Sequence, residues 1–322
     1  MRLPEEVRRH LPKRPRLEFP LAAPSVPATL DPPVRAATTG VDYDTSWARN
    51  FPSRFARAAV LDNVLQPTVR LLAKPERRGL DRLADLQARW RDDDTVEAVI
   101  FAANHHSHLD SALILTSLPE PWRHKVFVGA AADYFFTNRV NSAVSAFALN
   151  AIPIEREGVS RRSVGQTEAL LAEGWSLVLF PEGGRSPDGW GQPHKPGAAW
   201  LAQRSGTAVV PIHIAGTGRI LPKGAKKLTP GRTIITFGVP MRCGEGGRDD
   251  EDARAFAVRV EAAISALADE AAGDWYAARR RAHAGDTPVL AGPQLASWRR
   301  AWALGDRKGR PSVAKRRWPD LG

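Results

Sequence analysis

Between residues 96 and 272, short apolar runs of strand length alternate with stretches whose apolar residues recur at helical spacing. The strand-like runs are 98–103, 125–129, 151–154, 175–180, 208–214 and 233–239; helical patterns fall at 140–149, 163–173, 197–205 and 252–272. This alternation predicts an α/β domain at 96–272, with a central, largely parallel or mixed sheet covered by helices on both faces.

The flanks differ in character. Residues 1–46 place Pro4, Pro12, Pro15, Pro20, Pro24, Pro27, Pro32 and Pro33 among charges and small residues, so a disordered arm is expected there. Residues 47–95 form an amphipathic helical segment: Phe51, Phe55, Ala58, Leu61, Leu65, Val69 and Leu72 recur at helical spacing among arginines, and Pro67 demands a break or kink. That face either packs on the domain or lies in a membrane interface with its arginines toward anionic headgroups. Residues 273–322 lose the pattern. Nine Arg and two Lys face three Asp across 275–322, with Trp275, Trp298, Trp302 and Trp318 interleaved. Such a tail suits stacking on single-stranded nucleic acid, a membrane surface, or simple packing.

A net charge of +11 calls for an anionic partner without choosing one. The single cysteine, Cys243, excludes an internal disulfide and suits a reducing compartment. The start, Met1-Arg2-Leu3-Pro4-Glu5, lacks the apolar core of a signal peptide, and no apolar span has bilayer length, so a cytoplasmic location is expected.

Chemistry concentrates where the 98–103 run ends, in Asn104-His105-His106-Ser107-His108-Leu109-Asp110. Open α/β sheets hold their sites at such strand-to-helix junctions. Three readings compete. Ser107 and Asp110 form a capping box for the following helix. His106-x-His108-x-Asp110 begins a dinuclear metal pattern, but Ser111 follows, and the remaining histidines supply no second ligand set. Last, His105 is a base oriented by Asp110. Five helical residues would leave the two side chains ~140° apart. They meet only if His105 lies in the loop and Asp110 in the first turn, the arrangement that Ser107 as N-cap imposes. A carboxylate on one imidazole nitrogen leaves the other free to take a proton from a hydroxyl.

The 175–180 run leads into Pro181-Glu182-Gly183-Gly184-Arg185-Ser186-Pro187. The glycines allow close backbone approach, and Arg185 offers a forked donor for phosphate. Glu182 is suited to orienting Arg185 or binding an acceptor's hydroxyls. Lys195 adds a second cation before a helix start, and Arg156 ends the 151–154 run, where a surface ion pair is its ordinary use.

Taken in order, Asn104-His105-x-Ser107-x-x-Asp110, Ile154-x-Arg156, Phe180-Pro181-Glu182-Gly183-Gly184-Arg185-Ser186 and Val210-Pro211-Ile212 resemble the four motifs of the glycerolipid acyltransferase family, across roughly residues 95 to 242. Two positions depart from its pattern: Gly184 stands where the third motif usually has Thr, and Ala130-Ala131-Ala132-Asp133 where many members carry basic residues. The resemblance implies an O-acyltransferase that moves an acyl group from acyl-CoA or acyl carrier protein to a lysophospholipid, 1-acylglycerol-3-phosphate foremost. It implies His105 as general base and Asp110 as its orienter. Acceptor binding falls to Glu182, Gly183, Gly184, Arg185, Ser186 and Lys195 with Arg156, and Asn104 and Ser107 belong to the first motif. Backbone N–H groups at the start of the Ser107 helix are expected to receive the oxyanion. No metal or cofactor is expected, nor a specific nucleic acid; peripheral contact with the inner face of an anionic membrane is. The alternatives are a non-catalytic binder on a transferase-like domain and a metal-dependent hydrolase.

Overall fold

A computed structural model describes residues 39–93, 97–155, 161–186, 189–222, 225 and 227–291. Most of the proline-rich arm, Arg156, and the tail from 292 on, with Trp298, Trp302 and Trp318, lie outside the described residues. The arm's last stretch is held in place. Gly40 N–H donates to Phe136 O at 2.8 Å, Tyr43 tilts against the Phe136 ring, and Thr45 is fully buried.

The amphipathic segment is one helical rod with a widened middle. Helix α1 (Phe51–Val60) starts at Asn50, whose side chain accepts from Ser53 N–H. It continues through a π-helical turn (Leu61–Leu65) into α2 (Gln66–Ala73). Pro67 has no N–H to close the ladder, and the helix answers with a wide turn just before it instead of breaking. Its inner stripe, Leu61, Val69 and Ala73, joins the core; Phe51, Phe55 and Leu71 remain 79%, 71% and 73% exposed. Next comes β1 (Pro75–Arg78), a strand that no apolar pattern announces, and then α3 (Ala84–Asp93).

The domain follows as β2 (Val99–Ala103), α4 (Leu109–Ser117), β3 (Val126–Ala131), a one-turn helix (Ala132–Phe135), α5 (Arg139–Ala148), β4 (Ala151–Ile154), α6 (Arg161–Ala172), β5 (Ser176–Leu179), α7 (Gly197–Ser205), β6 (Ala208–Ala215), a one-turn helix (Thr217–Ile220), β7 (Thr233–Phe237) and α8 (Ala253–Ala272). The expectation that pattern ends at 273 fails at once. Helix α9 (Trp275–Ala284) is capped by Asp274 and tied to α8 by Arg281 on Asp269.

Among the described residues the strands form one sheet in the order β1-β7-β6-β2-β5-β3-β4. All neighbours run parallel except β6 and β7, so the sheet is mixed, as the alternation predicted. Both faces are covered. Val99, Phe101, Ala103, Val210 and Ile212 pack with α2 and α4 residues on one face; Ile100, Val209 and Leu177 pack with α6, α7 and α8 residues on the other. The chain leaves β2 for one face and leaves the adjacent β5 for the other. Those divergent exits open a crevice at the carboxyl ends of β2 and β5, where ligands bind in open α/β sheets.

Candidate active site

The ladder of β2 ends at Ala103, and Asn104 prolongs it with its side chain. Its amide donates to Ile214 O at 2.9 Å and accepts from Ile214 N–H at 2.7 Å, wholly buried. Asn104 therefore pins the strand end to β6, its side-chain oxygen and nitrogen both engaged with Ile214.

Freed from the ladder, the chain turns into α4 around Asp110. One buried oxygen, Asp110 Oδ2, accepts from His106 N–H at 2.7 Å and Ser107 N–H at 2.8 Å, and lies 2.9 Å from His105 Nδ1. Facing a carboxylate, Nδ1 is the protonated nitrogen, which leaves Nε2 as the basic one. The ring is 15% exposed and stacks on Phe180, centroids 4.0 Å apart and planes 19° off parallel. Phe180 directly follows β5, so the imidazole is held between the exits of two adjacent strands.

Ser107 is a brace. Its hydroxyl donates to Leu221 O at 2.8 Å and accepts from Leu109 N–H at 3.2 Å. The N–H groups of His106, Ser107 and Leu109 all have acceptors, so these three are not the oxyanion donors expected at this helix start. Among the described residues, the His106-x-His108-x-Asp110 spacing gathers no group of ligands able to hold a metal.

Glu182 is engaged by the loops themselves. Its two oxygens accept from His105 N–H at 2.9 Å and Gln192 N–H at 3.1 Å, lacing the β5 loop to the β2 loop and to the chain beyond. Burial raises its pKa to about 7, against the opposing effect of those two N–H donors. Ser186 completes the lacing: its N–H donates to His105 O at 2.8 Å, and its hydroxyl accepts from Gly189 N–H.

The rest of the loop faces out. Gly183 has φ +70°, and a Cβ there would meet the Lys195 side chain at 2.9 Å. Only glycine fits without strain, and the lysine stem lies against it. Gly184 opens onto free space. The Arg185 guanidinium sits 5.7 Å above the Tyr134 ring. Tyr134 in turn stacks on His108 and lies 2.9 Å from its Nε2 through the hydroxyl. Burial, then the Arg185 charge, hold His108 down at a pKa of about 4, so it is neutral at physiological pH. The structure thus gathers His105, Asp110, Glu182, Ser186 and Ser107 into one network, with Gly183, Gly184, Arg185 and Lys195 on its rim. Phe180, the head of the third motif, and His108, in the first loop, also belong to the site, and Gln192 and Tyr134 complete it without a sequence signal of their own.

Comparison with known proteins follows the same residues. Residues 87–215 match the family model described as Acyltransferase. A 1-acyl-sn-glycerol-3-phosphate acyltransferase of Chlamydomonas reinhardtii is 35% identical over 42% of this chain and 40% of its own length. A chloroplastic one of Brassica napus is 33% identical over 39% of this chain and 36% of its own. The chain thus spans about two fifths of the length of these curated relatives. The crystal structure of the 1-acyl-sn-glycerophosphate acyltransferase of Thermotoga maritima overlays 70% of this chain and 85% of that one, at 23% identity and a TM-score of 0.49, too loose a likeness to argue from.

Proposed function

From the premise that residues 87–215 form a domain of the glycerolipid acyltransferase family, we propose that this chain transfers a fatty acyl group from acyl-CoA or acyl carrier protein to the hydroxyl of a lysophospholipid, 1-acylglycerol-3-phosphate foremost. The observation that carries the reading is the His105–Asp110 pair, 2.9 Å apart, beside a rim that bears Arg185 and Lys195. His105 Nε2 takes the proton of the acceptor hydroxyl as its oxygen attacks the thioester carbonyl. Asp110 stabilises the imidazolium so formed. Collapse of the tetrahedral intermediate breaks the carbon–sulfur bond, and the imidazolium returns its proton to the departing thiolate. No acyl-enzyme is required. Ser107 is engaged as a brace, and Cys243 is a half-buried thiol whose pKa burial and Glu251 push up. Arg185, Lys195 and Arg156 are assigned the acceptor's phosphate, and Gly183 and Gly184 the close approach that it needs.

Peripheral attachment at the cytoplasmic face of an anionic membrane belongs to the same proposal. Its support is the exposed Phe51, Phe55 and Leu71 on the arginine-bearing α1–α2 rod. Among the described residues no helix is long and apolar enough to cross a membrane. Free-thiol release from acyl-CoA with lysophosphatidate tests the chemistry. His105→Ala is expected to lower the rate ~10²–10⁴-fold, and an unchanged rate would remove the assignment.

A further inference from the structure

A second cationic feature lies at the β1 edge of the sheet. Arg70, Lys74, Pro75 and Arg77 line one open cavity of about 500 Å³. Strand alternation puts Pro75 and Arg77 on one face and Glu76 and Arg78 on the other, where those two pair at 2.7 Å. The cavity face is thus left without the strand's carboxylate. Among the described residues no ion pair joins Arg70, Lys74 or Arg77 to an acid.

Two of the cations are placed at a cost. Arg77 donates one Nη2 bond to Thr116 O near the end of α4, at 2.9 Å, yet its Nε is buried with no acceptor. Burial, then the charges of Arg70 and Arg123, lower its pKa. Lys74 caps α2 in the left-handed region, φ 40°, where glycine is the favoured residue. Three like charges around one open hollow, one of them on strained backbone, are relieved by an anion.

The cavity's position is also informative. Because β7 and β1 run against β6, the Lys74–Pro75 end of β1 shares the sheet edge with the carboxyl ends of β2 and β6. Three strand spacings separate β1 from β2, or ~14 Å. A long thioester donor, or a lipid beside the reaction loops, carries its phosphate over such a span. We infer that the cavity walled by Arg70, Lys74 and Arg77 is a phosphate-ester binding site separate from the reaction loops. Its occupant is either the nucleotide phosphates of a CoA-type donor or an anionic lipid headgroup. The donor's part in this rests on the transferase reading; the binding does not.

Lys74→Gly removes a cation while suiting the left-handed backbone, and Arg70→Ala truncates an exposed side chain, so both variants keep the fold. The full-length double variant is compared with wild type by calorimetric titration of adenosine 3′,5′-bisphosphate. A second arm measures sedimentation with phosphatidylcholine vesicles, with and without phosphatidylglycerol. Affinity for at least one probe is expected to fall about tenfold. A loss confined to the nucleotide assigns the donor's phosphates, and one confined to the anionic vesicles assigns the headgroup. Unchanged binding in both arms, or no binding of either probe by wild type, overturns the site. A wild-type chain that binds a probe through these residues but releases no thiol from acyl-CoA keeps the site and removes the transferase reading.

Discussion

The loops after β2 and β5 and the α1–α2–β1 segment are both polar surfaces on one domain, but they treat polar groups differently. At the loops, Asp110 Oδ2 serves three donors, Glu182 serves two, and Asn104 closes on Ile214 at both ends. At the edge, among the described residues, no ion pair joins Arg70 or Lys74 to an acid, and Leu71 projects outward, as do Phe51 and Phe55 at the other end of the rod. Shared hydrogen bonds among buried groups fix atoms in place, although Asp110 Oδ1 is buried without a partner, and fixed atoms are what the proposed base requires. Groups left open are available to something outside the chain. Rigidity and availability are thus divided between two regions: the Lys74–Pro75 end of the second shares the carboxyl end of β2, while α1 lies toward the amino end of β5, with Arg54 over Trp175.

The sharpest way to break this contrast is Asp110→Asn. It keeps the shape but removes the carboxylate that fixes the His105 tautomer, and turnover is expected to fall ~10²–10⁴-fold. Steady-state thiol release measures it, and a change under tenfold would mean that the loop network does not orient the base.

The next effect depends on pH. Glu182 ionises near 7 in the folded chain, raised from an ordinary carboxyl value by burial. The unfolded chain loses that proton at lower pH, so stability from this group is complete below about pH 4.5 and is lost as pH rises toward 7. His108 and His213 act oppositely. Burial lowers both to about 4, so their contribution is present above about pH 6.5 and is lost as pH falls toward 4. Glu182→Gln should abolish the fall in stability between pH 5 and 7, on the order of 3 kcal/mol, and leave the acid-side fall of the histidines. Thermal melts of both proteins from pH 4 to 8 check this; parallel curves would refute it.

At the edge, Phe51→Ser with Phe55→Ser is expected to weaken sedimentation with anionic vesicles about tenfold or more. Turnover of a short-chain, soluble acceptor should not change. Smallest of all, Asn50→Ala removes the cap of α1 and should cost about 1 kcal/mol in urea unfolding, again without altering turnover. A rate loss in either edge variant would erase the division between the two regions.

Much of this was legible in the residues. The strand-length runs at 98–103, 151–154 and 208–214 became β2, β4 and β6, because buried parallel strands are apolar throughout. The closeness of His105 to Asp110 was legible as a condition on where the helix starts. β1 was not, since Pro75-Glu76-Arg77-Arg78 has no apolar alternation and is a strand only because β7 offers it a backbone edge. α9 was hidden by its charge, and its cap on Asp274 and the Arg281–Asp269 pair hold it.

By itself the sequence determined the layered α/β class, the strand exits where polar residues gather, and the types of those residues, for periodicity and local capping act within a few residues. The tertiary structure alone decided that Glu182 laces two loops together, that Phe180 clamps the imidazole, and that Arg70, Lys74 and Arg77 share one cavity. Those facts depend on which strands become neighbours, and strand order is set by packing across the whole sheet, at sequence separations over which no local pattern extends.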